Sequence, residues 1–145
     1  MAGNFELKGF DKVVRFFSDM TKRVKDNTEI NKTMAAMGFK NVMEHFEDEK
    51  DEYGRKWPRW IKKGQRYTAR PTKRGGNKML QDSGSMKNAV KFKATRSEAI
   101  VYIINKVAGF HHDGTKKMEK RRFMYIDNSM FERIANLYAR YLVKK

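Results

Sequence analysis

Ala89-Val90-Lys91-Phe92-Lys93-Ala94-Thr95-Arg96-Ser97-Glu98-Ala99-Ile100-Val101-Tyr102-Ile103-Ile104-Asn105 is the stretch on which the fold turns. Val90 and Phe92 alternate with Lys91 and Lys93, the period of a strand with one face buried, and the strand is expected over about 89–95. Arg96-Ser97-Glu98 is polar enough for a turn. Ala99 to Asn105 is an apolar, β-branched run that suits the partner strand of an antiparallel hairpin.

Upstream, the period changes. Phe10, Val13, Val14, Phe17, Met20 and Val24 share one helical face, with Lys12, Arg15, Asp19, Lys22 and Arg23 mostly away from it. Asp26-Asn27-Thr28 interrupts the pattern, and Thr28 is suited to cap a second helix. In that helix Ile30, Met34, Met37, Val42 and Phe46 form an apolar stripe, and Gly38 inside it suggests close packing on the first helix. So short a turn predicts an antiparallel helical hairpin. Before it, Phe5 and Leu7 alternate with Glu6 and Lys8 up to Gly9, a short edge-strand pattern.

Downstream of the hairpin, Gly109 to Thr115 reads as irregular and Arg122 to Ile126 as a third strand. Asp127, Asn128 or Ser129 can cap a last helix, and Ser129 with Glu132 matches a capping box. Met130, Ile134, Leu137, Tyr138 and Tyr141 form its apolar face. The expected architecture is α+β: a small antiparallel β-sheet packed by an N-terminal helical hairpin and a C-terminal helix, with a long basic loop, in one domain over 1–145.

Composition narrows the function. In 145 residues, 39% are hydrophobic and 12% aromatic, enough to build a core that removes about 68–70% of the unfolded surface. No apolar run approaches a membrane span of about 18 residues, and the first residues lack the basic-then-apolar pattern of a secretory leader. Cysteine is absent, which excludes disulfides, thiolate metal sites and cysteine catalysis. The net charge of +16 calls for a polyanionic neighbour, with nucleic acid or an acidic protein surface favoured over lipid.

That charge is unevenly placed. The second helix ends in Glu44, Glu47, Asp48, Glu49, Asp51 and Glu52, a block that opposes the helix dipole and reads as a surface awaiting cations or as a frayed end. The next segment, 53–78, has no acidic residue. It carries Arg55, Lys56, Arg59, Lys62, Lys63, Arg66, Arg70, Lys73, Arg74 and Lys78, punctuated by glycine and proline, so a long basic loop is expected. Trp57, Trp60 and Tyr67 interleave it and could stack on bases. Trp57-Pro58-Arg59-Trp60, stiffened by its proline, looks more like a packing anchor.

Sites for chemistry are scarce. His111-His112-Asp113 resembles part of a metal or nuclease site, but a metal needs three or four converging ligands and no second cluster accompanies it. A histidine bonding a backbone group in a turn explains it as well. There is no nucleophile elbow, and Gly75-Gly76 lacks the Gly-Lys-Ser/Thr ending of a phosphate loop.

Three elements resemble the phage virion morphogenesis, or tail-completion, proteins, a family that includes Mu-like head–tail proteins and is similar to minor tail and tail-terminator components. One is Gly54-Arg55-Lys56-Trp57 in a basic loop after two helices. The second is Met79-Leu80-Gln81-Asp82-Ser83-Gly84 ahead of the hairpin. The third is Val107-Ala108-Gly109-Phe110-His111-His112-Asp113-Gly114 with Arg121-Arg122-Phe123 downstream. The residues carrying the likeness are Trp57, Leu80, Gln81, Asp82, Ser83, Gly84, Ala108, His111, Gly114, Arg121 and Phe123. The resemblance implies a non-catalytic virion protein without a cofactor. Such a protein would be made in the bacterial host cytoplasm and form a homo-oligomeric ring, often sixfold, at the head–tail junction or tail end. Its partners would be connector or adaptor and tail-tube proteins, with no membrane role. The acidic block of one subunit could meet the basic loop of the next, and part of that loop could touch packaged DNA. The alternative is a stand-alone basic nucleic-acid-binding protein; a small nuclease using His111, His112 and Asp113 is a more distant reading.

Overall fold

A computed structural model describes residues 10–58, 78–81, 83–116 and 118–143. The edge strand expected before Phe10 lies outside them. Helix α1 spans Phe10–Lys25 and α2 spans Thr28–Asp48. The break between them is held by Asp26, whose Oδ1 accepts hydrogen bonds from the Thr28 amide (3.1 Å) and hydroxyl (2.7 Å). Thr28 is therefore the first helical residue and not the cap: an Asp two residues earlier is the stronger acceptor for an unpaired N–H.

α2 is the axis of the molecule. Ile30, Asn31, Ala35, Gly38, Asn41, Val42, His45 and Phe46 are its buried residues, following the three- and four-residue spacing of one helical face. That face covers a two-stranded antiparallel sheet, β1 (Val90–Ala94) and β2 (Ala99–Ile103), in which Phe92 pairs with Val101 and Val90 with Ile103. The turn is the expected one: the Thr95 amide donates to the Glu98 carbonyl (2.8 Å), and the Thr95 Oγ1 accepts from the Glu98 amide (3.0 Å). Gly38 does permit a close approach, but to this sheet and not to α1. A Cβ there would lie 3.2 Å from Val101 Cγ2 and 3.4 Å from Ile126 Cδ1.

α5 (Asn128–Val143) packs on α2 and on α1. Its cap is Asp127, whose Oδ1 accepts from the Met130 amide and the Ser129 hydroxyl, both at 2.8 Å, so the Ser129–Glu132 capping box is not the one used. At the other end of α5, the Arg23 guanidinium donates to the Tyr141 and Leu142 carbonyls, and the Tyr141 hydroxyl donates to the Asp26 carbonyl. Cations bonded to the last carbonyls of a helix are favoured there by the dipole. The apolar stripe of α1 is only partly used: Val13, Val14, Phe17 and Val24 are 48–59% exposed.

Two expectations fail for identifiable reasons. Arg122 to Ile126 bends at Met124 and joins no sheet among the described residues, because carbonyls in it serve side chains. The Trp57 indole N–H donates to the Arg122 carbonyl (3.0 Å), and His45 Nδ1 bonds the Phe123 carbonyl (2.9 Å). The stretch expected to be irregular contains α4 (Ala108–Asp113), started by Asn105, whose Oδ1 accepts from the Val107 amide and whose carbonyl accepts from the Ala108 amide. A four-residue helix, α3 (Ser85–Asn88), follows the turn at Ser83-Gly84. The core gathers Val42, Phe46, Trp57, Met79, Met86, Val90, Ala108 and Phe123.

Candidate functional site: the root of the basic segment

The two described ends of the basic segment meet at one residue. Glu49 follows α2 in the left-handed conformation (φ 55°, ψ 42°), which closes the helix by an N–H bond to the His45 carbonyl (2.9 Å). Its carbonyl accepts from the Trp57 amide (2.7 Å), and its buried carboxylate accepts from the Met79 amide. One residue, through its backbone carbonyl on one side and its carboxylate on the other, thus anchors the chain on both sides of residues 59–77.

The rest of the acidic block is also engaged within its own chain. Asp51 accepts from the Tyr53 and Arg55 amides and pairs with the Arg55 guanidinium (2.8 Å), folding a tight turn at Gly54. Burial works against the Asp51 carboxylate, but the bonds from Arg55 and Tyr53 outweigh it and hold the group below the usual carboxylate range. Glu47 pairs with Lys78 and Lys87, Glu52 with Arg122, and Asp48 with Lys50 (3.6 Å). Lys56 donates to the Asp48 carbonyl. Glu44 is exposed and has no ion pair among the described residues. The block is therefore an ordered joint and not a frayed helix end. Of the expected cations, Arg55, Lys56 and Lys78 are occupied at this joint. Arg59, Lys62, Lys63, Arg66, Arg70, Lys73 and Arg74 lie outside the described residues.

The residues singled out by motif converge behind the joint. Trp57 is buried, edge-on to Phe46 with centroids 6.1 Å apart, and Phe46 lies 5.0 Å from Phe123. Arg121, 1% exposed, donates from Nε and Nη2 to the Pro58 carbonyl (3.0 and 2.8 Å) and from Nη1 to the Glu119 carbonyl (3.1 Å). Burial pulls its pKa down from the usual arginine value. The Gln81 amide donates to the Phe46 carbonyl (2.6 Å) from a buried position. Leu80 and Gly84 take positive φ (60° and 71°), turning the chain into α3, and the Ser83 hydroxyl bonds Ser85. Asp82 lies outside the described residues.

Ala108 is buried in the core, and the His111 carbonyl accepts from the Arg121 amide (2.7 Å). Burial, and then the Arg121 charge, lower the His111 pKa. His112 bonds Asp113 (2.9 Å) and packs edge-on to Phe123. Gly114 has φ +76° and is irreplaceable in shape: a Cβ would sit 2.9 Å from the Lys120 amide nitrogen. The described motif residues thus contribute packing, backbone hydrogen bonds and turns.

Three further residues, Asn41, His45 and Tyr125, were not singled out in the sequence, and they gather around the cap residue Asp127. Asn41 donates to Asp127 Oδ2 (2.6 Å), the His45 ring stacks on Tyr125 (3.7 Å, 6°), and the Tyr125 hydroxyl donates to the Lys50 and Asp51 carbonyls. Burial, and then the nearby Asp127 charge, push the Tyr125 phenol up to about 12. Burial would raise Asp127, but the bonds from Met130, Asn41 and Ser129 dominate and hold it at about 2. The signal was present in the sequence as Asn41 and His45, four residues apart beside the apolar stripe of α2. Next to this cluster, a mostly apolar groove of ≈ 350 Å³ lies between Met34, Gly38, Val101, Tyr125, Ile126 and Ile134.

A folded joint of buried aromatic, arginine and glutamine contacts carries the two described ends of the basic segment. The chain belongs to the phage virion morphogenesis family, whose model it matches over residues 9–142, so it is a structural protein of a bacteriophage virion. No curated protein and no solved structure matches it. Among the described residues, no helix is long and apolar enough to cross a membrane.

Proposed function

We propose that the protein is a non-catalytic ring subunit acting at the head–tail junction or tail end, where it completes the tail and meets connector or adaptor and tail-tube proteins. The observation that carries this is the joint at Glu49. Three of the motif residues, Trp57, Gln81 and Arg121, hold the two sides of the basic segment together.

The charge distribution then favours DNA as the partner of the segment. Five of the six carboxylates in the acidic block already have partners in their own chain. The seven cations Arg59, Lys62, Lys63, Arg66, Arg70, Lys73 and Arg74 are the charges this reading assigns to a polyanion passing through the ring. If all seven neutralised phosphates, log K would fall with log salt at a slope of roughly −6. The test is mass measurement and negative-stain imaging of the purified protein, followed by DNA binding across a salt series. Discrete rings that bind DNA in a salt-sensitive way are expected, and reversing Lys62, Lys63 and Arg66 to glutamate should flatten the slope. Rings indifferent to DNA would remove the DNA contact. A monomer binding DNA equally well would favour the stand-alone nucleic-acid binder.

A further inference from the structure

We infer that the outward face of the β1–β2 hairpin, built on Lys91, Lys93 and Tyr102, is a second surface for DNA, holding its phosphate backbone without reading its sequence. This rests on the DNA contact proposed above and places part of it on the folded sheet.

Strand alternation and register set the face. Phe92 packs on Phe39 of α2, with ring centroids 5.3 Å apart, and Val101 lies against Gly38. Neighbouring residues of a strand take opposite faces, so Lys91, Lys93, Ile100 and Tyr102 point away from α2. Tyr102 pairs with Lys91 and Ile100 with Lys93, and the Lys93 ammonium lies over the Tyr102 ring, 5.7 Å from its centroid. Both lysines are exposed and Tyr102 is partly so.

Charge names the partner. From Ser83 to His112 the chain carries Lys87, Lys91, Lys93, Arg96 and Lys106 against one carboxylate, Glu98 at the turn. At the joint each cation has its anion: Lys87 pairs with Glu47, Arg55 with Asp51 and Arg122 with Glu52. Arg96 has the Asp26 charge beside it. Lys91 and Lys93 have no ion pair among the described residues. A sheet face that is merely solvated gains by setting opposite charges across the strands, and this one carries a single sign. Two side chains on one face of a strand recur about every 6.8 Å, and a DNA strand offers a phosphate about every 3.4 Å of its axis, so both lysines can meet one backbone. The Tyr102 hydroxyl adds a donor of the kind that bonds phosphate and sugar. DNA is the polyanion assigned to the basic segment, so one partner serves both surfaces.

The tip of the hairpin is already engaged. The Thr95 carbonyl accepts from the Asn31 side-chain amide (2.9 Å), and the Arg96 carbonyl accepts from the Asn27 amide (3.3 Å). The ribbon is tied to the start of α2 and meets DNA broadside, on the backbone, instead of pushing its turn into a groove. Backbone contacts position a duplex and carry no sequence information.

The test measures binding of the whole chain to short fluorescent duplexes of unrelated sequence across a salt series. Lys91→Gln with Lys93→Gln should make the slope of log K against log salt shallower by about 1.8, equally for every sequence. Lys32→Gln with Lys40→Gln removes the same charge from exposed positions of α2 and should change the slope by less than about 0.5, because charges away from the contact are screened. Where the hairpin variant loses its wild-type urea midpoint, Lys91→Gln alone should give half the change and Lys91→Arg none. An unchanged slope in the hairpin variant, while reversal of Lys62, Lys63 and Arg66 still flattens it, would overturn this inference alone and leave the lysines as guards against strand pairing. Equal losses from the hairpin and α2 variants would do the same, as would a sequence preference that the hairpin variant abolishes. Poly-glutamate binding that the hairpin variant loses, with its DNA slope intact, would give the face to an acidic protein instead. Wild type that fails to bind DNA at low salt would overturn the DNA reading of the basic segment as well.

Discussion

Trp57 offers the sharpest check on the joint. It is 3% exposed, edge-on to Phe46, and its indole N–H donates to the Arg122 carbonyl at 3.0 Å. Trp57→Ala removes the ring and the bond, which for a buried tryptophan costs about 3–5 kcal/mol. Trp57→Phe keeps most of the ring but leaves a carbonyl without its donor, worth about 1–3 kcal/mol. Domains of this kind are stable by about 5–15 kcal/mol, so the alanine variant should lose a large share of the total. With a urea slope of about 2 kcal/mol/M, the midpoint should fall by roughly 2 M for alanine and 1 M for phenylalanine. Phenylalanine should also leave DNA affinity and its salt dependence at wild-type values, since the ring faces the core. An alanine variant losing less than about 1 kcal/mol, or a phenylalanine variant that keeps its stability while binding DNA more weakly, would refute the anchor and restore a base-stacking role.

Other outcomes follow from the same contacts. Gly114→Ala should destabilise by about 3 kcal/mol or more, because its Cβ meets backbone atoms; Gly54→Ala, with the same φ but open space around it, should lose only about 1–2 kcal/mol, and equal losses in thermal melts would contradict this. Asp127→Ala removes the cap of α5 and should cost about 1–2 kcal/mol at pH 7. Because the Asp127 pKa is depressed to about 2 in the folded chain, its contribution is present above the normal carboxylate pKa and is lost as pH falls from about 4 toward 2. The wild type and Asp127→Ala should therefore converge in stability across that window. Tyr125, raised to about 12, has the opposite sign: its contribution holds below the normal phenol pKa near 10 and fades between about 10 and 12. Ultraviolet titration should show one late-ionising tyrosine that Tyr125→Phe removes.

The elements ruled by one local period were legible in the sequence. The hairpin, α2 and α5 follow from alternation and helical spacing, and the structure places β1 and β2 within a residue or two of the expected bounds. What could not be read were the places where a backbone group is claimed by a distant side chain. Arg122 to Ile126 has strand composition, yet Trp57 and His45, 65 and 78 residues away in the chain, take the carbonyls a neighbouring strand would need. The partners of the acidic block were hidden for the same reason: nothing local says that Glu49 will accept from Met79 or that Glu47 will meet Lys78 and Lys87. The motif residues were identifiable individually by resemblance, but their convergence around Phe46 is a property of the tertiary fold. The α1 stripe shows the converse, since amphipathic spacing predicts an apolar face without saying which molecule will cover it.

The seating of Trp57 and Met79 on Glu49 has a consequence for how the chain tolerates being severed. The contacts that join the two halves, Trp57 to Arg122, Arg121 to Pro58, Gln81 to Phe46 and α2 across the hairpin, all bridge the interval 59–77 without running through it. A protease cut inside that interval should therefore yield two fragments that stay interlocked and co-purify, and the same pieces expressed separately should reconstitute one another.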